Sequence, residues 1–317
     1  MATPQPHPTE IEILSIPSIS DKERALVEAH SLLNVINILQ GELILLGLNL
    51  CDQHDLLQRE QHLCHELVEA LHEPQDLGAG ARMAANHIEA IRHALAEVLQ
   101  RHPERAAVAE VTENLTNLDS VLTILALRAR ETLQRLEAPA DWQAFPVAEL
   151  NRGFREVFAA IEKNSKGRFR IIYNLARQGP QDYYIDFKFE GVAEDRIHLP
   201  PIFIEVMRDL LANARKYTPL GGHISCGLYQ SSRDTVFVVE DTGRGIPAAE
   251  IQEVFHFGRR GSNVADVRTF GGGFGLTKAF LITKQFQGRL WVRSEPQQGT
   301  RIRIWLPNPP GLIGGSS

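Results

Sequence analysis

Residues 209–217 form a polar patch on a predicted helix that is otherwise apolar and basic. The side-chain oxygen of Asn213 can ligate a hard cation such as Mg²⁺, whose other ligands are then waters and phosphate oxygens. Asp209 lies one turn earlier on the same face and could orient such a water, and Lys216 could meet a phosphate as a point charge. A surface helix with scattered polar residues explains this stretch alone equally well.

Asp241 ends a predicted strand and is followed by Gly243 and Gly245. A buried carboxylate at this point can accept a hydrogen bond from the exocyclic amine of adenine, and the glycines let the backbone approach closely. The pattern Asp-x-Gly-x-Gly is also that of an ordinary turn, so by itself it is a weak indication of a nucleotide site.

A glycine-rich segment, 271–275, opens a further predicted helix and offers backbone N–H groups to a phosphate. Taken alone, it is equally compatible with a flexible loop. The preceding stretch, 255–262, contains Arg259 and Arg260 and few apolar anchors, which indicates a mobile lid over the phosphates. The order and spacing of the three motifs within one domain predict a nucleotide site.

These motifs resemble those of the ATP-binding domain of two-component sensor histidine kinases, a fold shared with gyrase, Hsp90 and MutL. Residues 210–219 resemble the asparagine box, 239–247 the first glycine box and 271–276 the second glycine box. Residues 255–257, Phe-His-Phe, resemble the phenylalanine box, and 294–306 resemble the closing motif. The resemblance covers about half of the chain.

The resemblance implies that the domain binds Mg-ATP, with Asn213 on the metal and Asp241 on the adenine. Asp209 stands where the family often has Glu and is a candidate catalytic residue. Nucleotide contacts are also implied for the remaining matching residues, which are Lys216, Tyr217, Gly243, Gly245, Gly271, Gly273, Gly275, Leu276 and Thr300.

The sequence around His30 resembles the histidine box, which carries the phosphoacceptor of these kinases. Asn34 matches the position that helps to orient water when a partner response regulator is dephosphorylated. The family commonly has an acidic residue directly after the histidine to take its proton, whereas this chain has Ser31, whose hydroxyl is a poor base. Three outcomes stay open: slow autophosphorylation, a carboxylate borrowed from Glu28 or Asp209, or loss of the autokinase with a bias toward phosphatase activity. The alternative is that His30 is one solvated histidine among twelve.

The amino-terminal half supplies the elements that would position His30. Residues 20–72 contain no proline and place apolar residues at helical spacing near a heptad rhythm, which predicts one long amphipathic helix. A second helical run, 81–136, is predicted to be kinked or divided at Pro103. Two long antiparallel helices bury only one stripe of each other, so we expect a homodimer that closes a four-helix bundle.

Cysteines and histidines recur along this helical region. At helical spacing they could bind a metal or haem and form a sensor, or they could be core and surface residues of an extended bundle. The residues concerned are Cys51, His54, His62, Cys64, His65 and His72.

The predicted fold is multi-domain, an all-α antiparallel helical hairpin followed by an α+β sandwich of the histidine kinase, gyrase and Hsp90 ATPase type. In that sandwich, helices lie on one face of a mixed sheet. The domain boundaries follow from the changes in composition. They are a flexible amino-terminal segment or partner-binding strand at 1–19, a dimerisation and histidine phosphotransfer domain at 20–138, a linker at 139–146, a catalytic ATP-binding domain at 147–308 and a disordered tail at 309–317.

Composition restricts the function classes. A net charge of −6 over 317 residues argues against nucleic-acid binding as the main task. Three cysteines make no disulfide framework, which predicts a reducing, cytoplasmic location. The amino terminus lacks the features of a signal peptide, and the longest apolar stretch, 43–50, is too short to span a bilayer.

The leading hypothesis is a soluble histidine kinase that binds Mg-ATP, phosphorylates itself on His30 and passes the phosphoryl group to an aspartate in the receiver domain of a separate response regulator. Its signal is expected through a separate sensor protein or the amino-terminal region. The alternative is a non-catalytic histidine phosphotransferase or pseudokinase adaptor, which Ser31 favours and the intact nucleotide motifs oppose. An ATP-driven clamp like the gyrase relatives leaves His30 unexplained.

Overall fold

The computed structural model describes residues 10–72, 77–137, 141–165, 167–191, 195–267 and 272–312. The chain divides into two compact units. The helical unit spans Ile19–Pro139, and the sheet unit combines Met1–Ser18 with Ala140–Ser317. The predicted fold class, a helical region followed by a mixed α/β sheet domain, is confirmed.

Helix α1 (Asp21–Cys51) begins at a capping box. The Ser20 hydroxyl accepts a hydrogen bond from the Glu23 N–H, and the Glu23 carboxylate accepts one from the Ser20 N–H at 2.7 Å. Such a cap stabilises a helix by about 1 kcal/mol. By length and composition α1 could cross a membrane, and 44% of its apolar window is buried inside the protein.

The prediction of one continuous helix over 20–72 is wrong. Helix α1 ends where Asp52 adopts a left-handed conformation with φ 58°, and α2 (Gln58–His72) packs back against α1. Asp is among the few residues that tolerate this conformation, so no proline or glycine marks the break. Gly47 makes room for the turn, because a Cβ there would lie 2.3 Å from the Gln53 carbonyl oxygen.

The described residues of this unit form three further helices: α3 (Leu77–Arg101), α4 (Pro103–Ala106) and α5 (Ala109–Glu137). The predicted break at Pro103 is confirmed. Both α1 and α3 contact α2 and α5, so a single chain closes a four-helix arrangement around a core of leucine, isoleucine, valine and alanine. The residues of α1 that face this core are therefore covered within the chain, whereas Ile38, Leu45 and Leu48 of α1 are 44%, 44% and 40% exposed.

A buried polar contact fixes the register of α1 against α5. Asn114 is 2% exposed; its Nδ2 donates to Glu42 Oε2 at 2.6 Å, and its Oδ1 accepts from Asn49 Nδ2 at 2.6 Å. This contact disfavours shifted registers, because a shift would leave the buried Asn114 amide without its partners.

Over its described residues, the sheet unit contains nine strands and three α-helices. In chain order these are β1 (Ile11–Glu12), β2 (Gln143–Pro146), α6 (Val147–Asn164), β3 (Ile171–Ile172), β4 (Tyr183–Glu190), β5 (Arg196–Leu199), α7 (Pro201–Tyr217), β6 (His223–Gln230), β7 (Asp234–Asp241), α8 (Gly275–Gln285), β8 (Arg289–Glu295) and β9 (Gly299–Pro307). The main sheet has the order β1-β8-β9-β7-β6-β4-β3, and its β3–β4 and β4–β6 pairs are parallel. Alternate residues of its long strands are buried, and α6, α7 and α8 contact the strands, so the helices cover one face.

Two short strands depart from the expected boundaries. The predicted linker at 139–146 contains β2, which pairs with β5 in a separate two-stranded ribbon. The amino-terminal segment is not a free tail over its described part, because β1 pairs with β8 at the edge of the main sheet. Glu12 forms a bidentate ion pair with Arg289, and Glu10 contacts Arg303. These residues lie far apart in sequence, so no local pattern indicated the pairing.

Ile13 anchors this amino-terminal strand in the core of the sheet unit. It is 0% exposed, whereas Ile11, two residues earlier, is 42% exposed. We expect Ile13→Ala to lower the free energy of unfolding of the sheet unit by about 2–4 kcal/mol. Urea unfolding followed by tryptophan fluorescence measures this directly, because Trp142, Trp291 and Trp305 all belong to the sheet unit.

The matched control is Ile11→Ala, which removes the same atoms from a half-exposed position and is expected to cost less than about 0.5 kcal/mol. Equal effects of the two substitutions would mean that the amino-terminal segment is not docked on the sheet in solution.

Candidate functional site

Helix α7 presents Asp209 and Asn213 to the start of α8. A Cβ placed on Gly275 would lie 3.2 Å from Asn213 Nδ2, a tight contact, and 3.6 Å from Asp209 Cβ, an ordinary one. Leu276 follows and is partly buried against the core. Two motifs separated by about sixty residues in sequence are thus adjacent in space.

Asp241 lies at the carboxyl end of β7, and its side chain is held by the backbone around it. Oδ1 accepts the Gly243 N–H at 2.8 Å, and the Thr300 N–H also donates to the carboxylate. Burial raises the pKa of this carboxyl to about 6, against the lowering effect of these two hydrogen bonds. A carboxylate that is largely removed from water and still has an unused lone pair is a strong hydrogen-bond acceptor for an amine.

The loop after Asp241 is packed between the end of α7 and the β8–β9 turn. The Arg244 N–H donates to the Tyr217 carbonyl at 3.1 Å, and the Gln297 N–H donates to the Arg244 carbonyl at 2.8 Å. Gly245 has a left-handed φ of 65°, and a Cβ there would lie 1.9 Å from the Glu295 carbonyl oxygen. The structure therefore brings the asparagine-box helix, the first glycine loop and the closing hairpin together.

Lys216 is half buried at the end of α7. Burial lowers the pKa of its ammonium to about 8, and the nearby charge of Arg260 lowers it further in the same direction. Its Nζ lies 5.1 Å from the centre of the Tyr217 ring. Two cationic groups that repel each other in a partly desolvated place favour the binding of an anion such as a phosphate.

The second glycine segment is described from residue 272 onward, so Gly271 lies outside the described residues. Gly273 has a left-handed φ of 80°. The Phe274 ring stacks on Phe257 with 4.6 Å between ring centres, and Thr277 Oγ1 donates to the Phe255 carbonyl at 3.0 Å. These contacts join the phenylalanine box to the start of α8.

The stretch predicted as a lid continues into a segment that contacts the first glycine loop. Asn263 Nδ2 donates to the Gly245 carbonyl at 2.9 Å, and Arg244 forms a 2.6 Å ion pair with Asp266. Mobility of this stretch stays a prediction. Sequence reasoning missed Asn263 and Asp266, because their partners lie some twenty residues away.

Sequence reasoning also missed Lys278 and Glu205. Lys278 is 1% exposed, and its Nζ lies 2.6 Å from Glu205 Oε2 and 3.5 Å from Asp209 Oδ2. A lysine among the apolar residues that open α8 was the available signal, since an ammonium is almost never fully buried without a partner.

In the helical unit, the structure brings His30 and Asn34 together on α1. Asn34 Nδ2 and His30 Nε2 are 3.1 Å apart, and His30 is only 7% exposed. The alternative of a solvated surface histidine does not fit this burial.

The cysteines and histidines of 51–72 are dispersed. Within the described ranges no group of three or more His, Cys, Asp or Glu side chains could hold a metal ion. Cys64 is buried, and burial raises the pKa of its thiol to about 12. His62 and His65 point to Glu66 and Glu69 on the helix surface.

Comparison with known proteins gives a consistent result for the sheet unit. The family model described as "Histidine kinase-, DNA gyrase B-, and HSP90-like ATPase" matches residues 199–310. The chain is 25% identical over 259 residues to the adaptive-response sensory kinase SasA of Synechocystis sp. (strain ATCC 27184 / PCC 6803 / Kazusa), a match that covers 81% of this chain and 62% of that protein. It is 38% identical over 116 residues to the SasA protein of Synechococcus sp. (strain CC9902), covering 34% of this chain and 30% of that protein.

The chain thus spans less than two thirds of the length of the curated relatives it matches. Among solved structures, the catalytic domain of the histidine kinase ThkA superposes with a TM-score of 0.38 and 20% identity, covering 53% of this chain and 95% of that one. The sequence matches confirm the resemblance to sensor histidine kinases.

Proposed function

We propose that the protein is a cytoplasmic histidine kinase that phosphorylates itself on His30 from Mg-ATP, because residues 199–310 match the family model of histidine kinase-, DNA gyrase B- and HSP90-like ATPases. The phosphoryl group then passes to an aspartate in the receiver domain of a separate response regulator. We further propose that the protein acts as a homodimer through its helical unit, that a separate sensor protein supplies the signal, and that the protein neither spans a membrane nor acts on nucleic acid.

The convergence of Asn213, Asp241 and Lys216 around glycine-lined backbone carries the proposal. Asp241 supplies a desolvated acceptor for the adenine amine, and Lys216 supplies positive charge for the phosphates. ATP fits these two groups, since its neutral adenine ring needs a hydrogen-bond acceptor for its amine and its anionic phosphates need a positive charge.

The donor set also fits Mg²⁺. Asn213 offers an amide oxygen, and Asp209 Oδ2 is buried without a hydrogen bond to any part of the protein that the structure describes. A hard cation takes oxygen ligands and keeps waters, so Asn213 would hold it directly and Asp209 through water. When bound, the ion would neutralise negative charge on the phosphates. Asn213 and Asp209 would orient the ion and its waters.

His30 can act as phosphoacceptor only when its imidazole reaches solvent. At 7% exposure, with Asn34 at its Nε2, it requires local opening of the helical unit. Asn34 would orient water in the reverse, dephosphorylating reaction. The burial of His30 and the presence of Ser31 favour the second candidate, a non-catalytic phosphotransferase or pseudokinase adaptor.

Incubation of the purified protein with γ-labelled ATP and Mg²⁺ separates these candidates. We expect label on the wild type and none on His30→Ala or Asn213→Ala, because the first removes the acceptor and the second the metal ligand. The matched control is His93→Ala, whose side chain is 79% exposed on α3 and which should keep the label.

Label that survives in His30→Ala would place the acceptor elsewhere. Nucleotide binding without any label would favour the adaptor or a phosphatase, which is then tested by adding a phosphorylated receiver domain.

A further inference from the structure

Helix α7 carries a row of polar side chains within an otherwise apolar interface with α8. Glu205, Asp209 and Asn213 follow each other at intervals of four residues, so they lie along one face of the helix. Gly275 and Lys278, one turn apart on α8, meet that row. The glycine covers Asp209 and Asn213, and the ammonium lies between the two carboxylates.

The charges in this row do not cancel. Lys278 contributes one positive charge, and Glu205 and Asp209 contribute one negative charge each. Glu205 takes the short contact, 2.6 Å from Nζ, whereas Asp209 Oδ2 stays at 3.5 Å. The Lys278 ammonium thus forms a hydrogen-bonded ion pair with Glu205, whereas it interacts with Asp209 only through electrostatic attraction.

The consequence is an oriented carboxylate with unused acceptor capacity beside the candidate metal ligand. Asp209 is 19% exposed, and among the described residues its Oδ2 has no hydrogen-bond partner. A purely structural ion pair would satisfy both carboxylates, because an unsatisfied buried acceptor costs stability.

We propose that Lys278 is a positioning residue of the Mg-ATP site. Its ammonium is anchored by Glu205 and holds the Asp209 carboxylate toward the metal that Asn213 binds. Because Lys278 lies on α8, it also couples the second glycine segment to that metal. The inference rests on the proposed function, because it assigns Lys278 a part in that same site. Lys278 touches neither nucleotide nor metal and acts through Asp209.

The main test removes Lys278 and Glu205 together, so that Glu205 is not left buried without its cation. Lys278→Met alone would strand Glu205, so the main variant is Lys278→Met/Glu205→Leu, in which apolar side chains of similar size replace both partners. Lys278→Gln is the second variant, since its amide still donates to Glu205 but carries no charge for Asp209. Lys284→Met, on the same helix with its Nζ over the Phe280 ring, is the matched control.

Binding of a fluorescent ATP analogue is measured with Mg²⁺ and with EDTA, next to urea unfolding by tryptophan fluorescence. We expect both Lys278 variants to bind the Mg²⁺ complex at least tenfold more weakly and the metal-free analogue within threefold of wild type, with Lys284→Met unchanged. Asp209→Asn should show the same loss of Mg²⁺-dependent binding. Combining it with Lys278→Met/Glu205→Leu should weaken binding no further, because both changes act on the same carboxylate, that of Asp209.

Unchanged Mg²⁺-dependent binding in folded Lys278 variants would overturn the inference, as would equal losses with and without Mg²⁺ or losses that add to that of Asp209→Asn. These results leave the proposed function intact. Wild-type protein that does not bind the analogue would instead overturn the proposed function itself.

Discussion

Asp241→Asn is expected to weaken the binding of adenine nucleotides roughly 30–150-fold while stabilising the nucleotide-free protein. The carboxylate is the acceptor proposed for the adenine amine, and an amide offers a weaker, uncharged acceptor together with an unwanted donor. Loss of a charge-assisted hydrogen bond in a desolvated site costs about 2–3 kcal/mol, or roughly 30–150-fold in affinity.

The gain in stability follows from the pKa of Asp241, which burial raises from 3.8 to about 6. Between these values the folded protein binds more protons than the unfolded chain, so its stability falls as pH rises through this window. At pH 7 the charged carboxyl is therefore a net cost, and Asn removes it for a gain on the order of 1–3 kcal/mol. Nucleotide affinity of the wild type should fall as pH drops below about 6, because the protonated acid is a poor acceptor.

Asp234→Asn is the matched control at the opposite end of β7. Hydrogen bonds from Ser231 and Trp305 lower the pKa of Asp234, so its charge stabilises the fold and its removal should cost stability at pH 7. Nucleotide binding should be unchanged in this variant. Calorimetric titration with ADP and urea unfolding measure both properties. Full nucleotide affinity in Asp241→Asn would disprove the assigned role of the carboxylate.

Gly245→Ala is expected to have the second large effect, a loss of about 3 kcal/mol in the free energy of unfolding of the sheet unit together with loss of nucleotide binding. A left-handed conformation costs an L-residue about 1–2 kcal/mol, and the new Cβ would lie 1.9 Å from the Glu295 carbonyl oxygen. The first glycine loop and the β8–β9 turn must separate to relieve that overlap, at a further cost of about 1–3 kcal/mol.

The control for Gly245 is Gly153→Ala in the interior of α6, where a Cβ would meet nothing within 4 Å. That substitution should stabilise the sheet unit by about 0.5–1 kcal/mol, because alanine is the better helix former. Tryptophan fluorescence during urea unfolding reports both variants. Equal stability changes would mean that the loop conformation around Gly245 is not the one described.

Local signals were sufficient for several elements. The helix predicted to carry residues 209–217 is α7, Pro201–Tyr217; proline marks its first turn, and apolar residues repeat at helical spacing until Tyr217. The hairpin of β6 and β7 alternates buried and exposed residues, which is a pattern of period two visible in the sequence. The α1 start is equally local, since Ser20 and Glu23 cap the helix within one turn.

Other features depend on partners that no local pattern identifies. Apolar residues keep their helical spacing through the turn after Asp52. One continuous helix and two antiparallel helices, α1 and α2, therefore have the same sequence pattern. The docking of β1 joins Glu10 and Glu12 to arginines almost three hundred residues later. The burial of Lys278 becomes meaningful only beside Glu205.

The sequence by itself determined which residues form the motifs that resemble a nucleotide site, because close approach of the backbone and the proposed metal ligation require particular residue types at short spacing. Tertiary structure alone decided that Gly275 lies on Asn213 and Asp209, that burial raises the pKa of Asp241, and that His30 is enclosed by a bundle formed within one chain. Burial and the contacts between distant segments arise from the packing of the whole chain. That packing sets how exposed each side chain is, which partners it contacts and how readily it carries a charge.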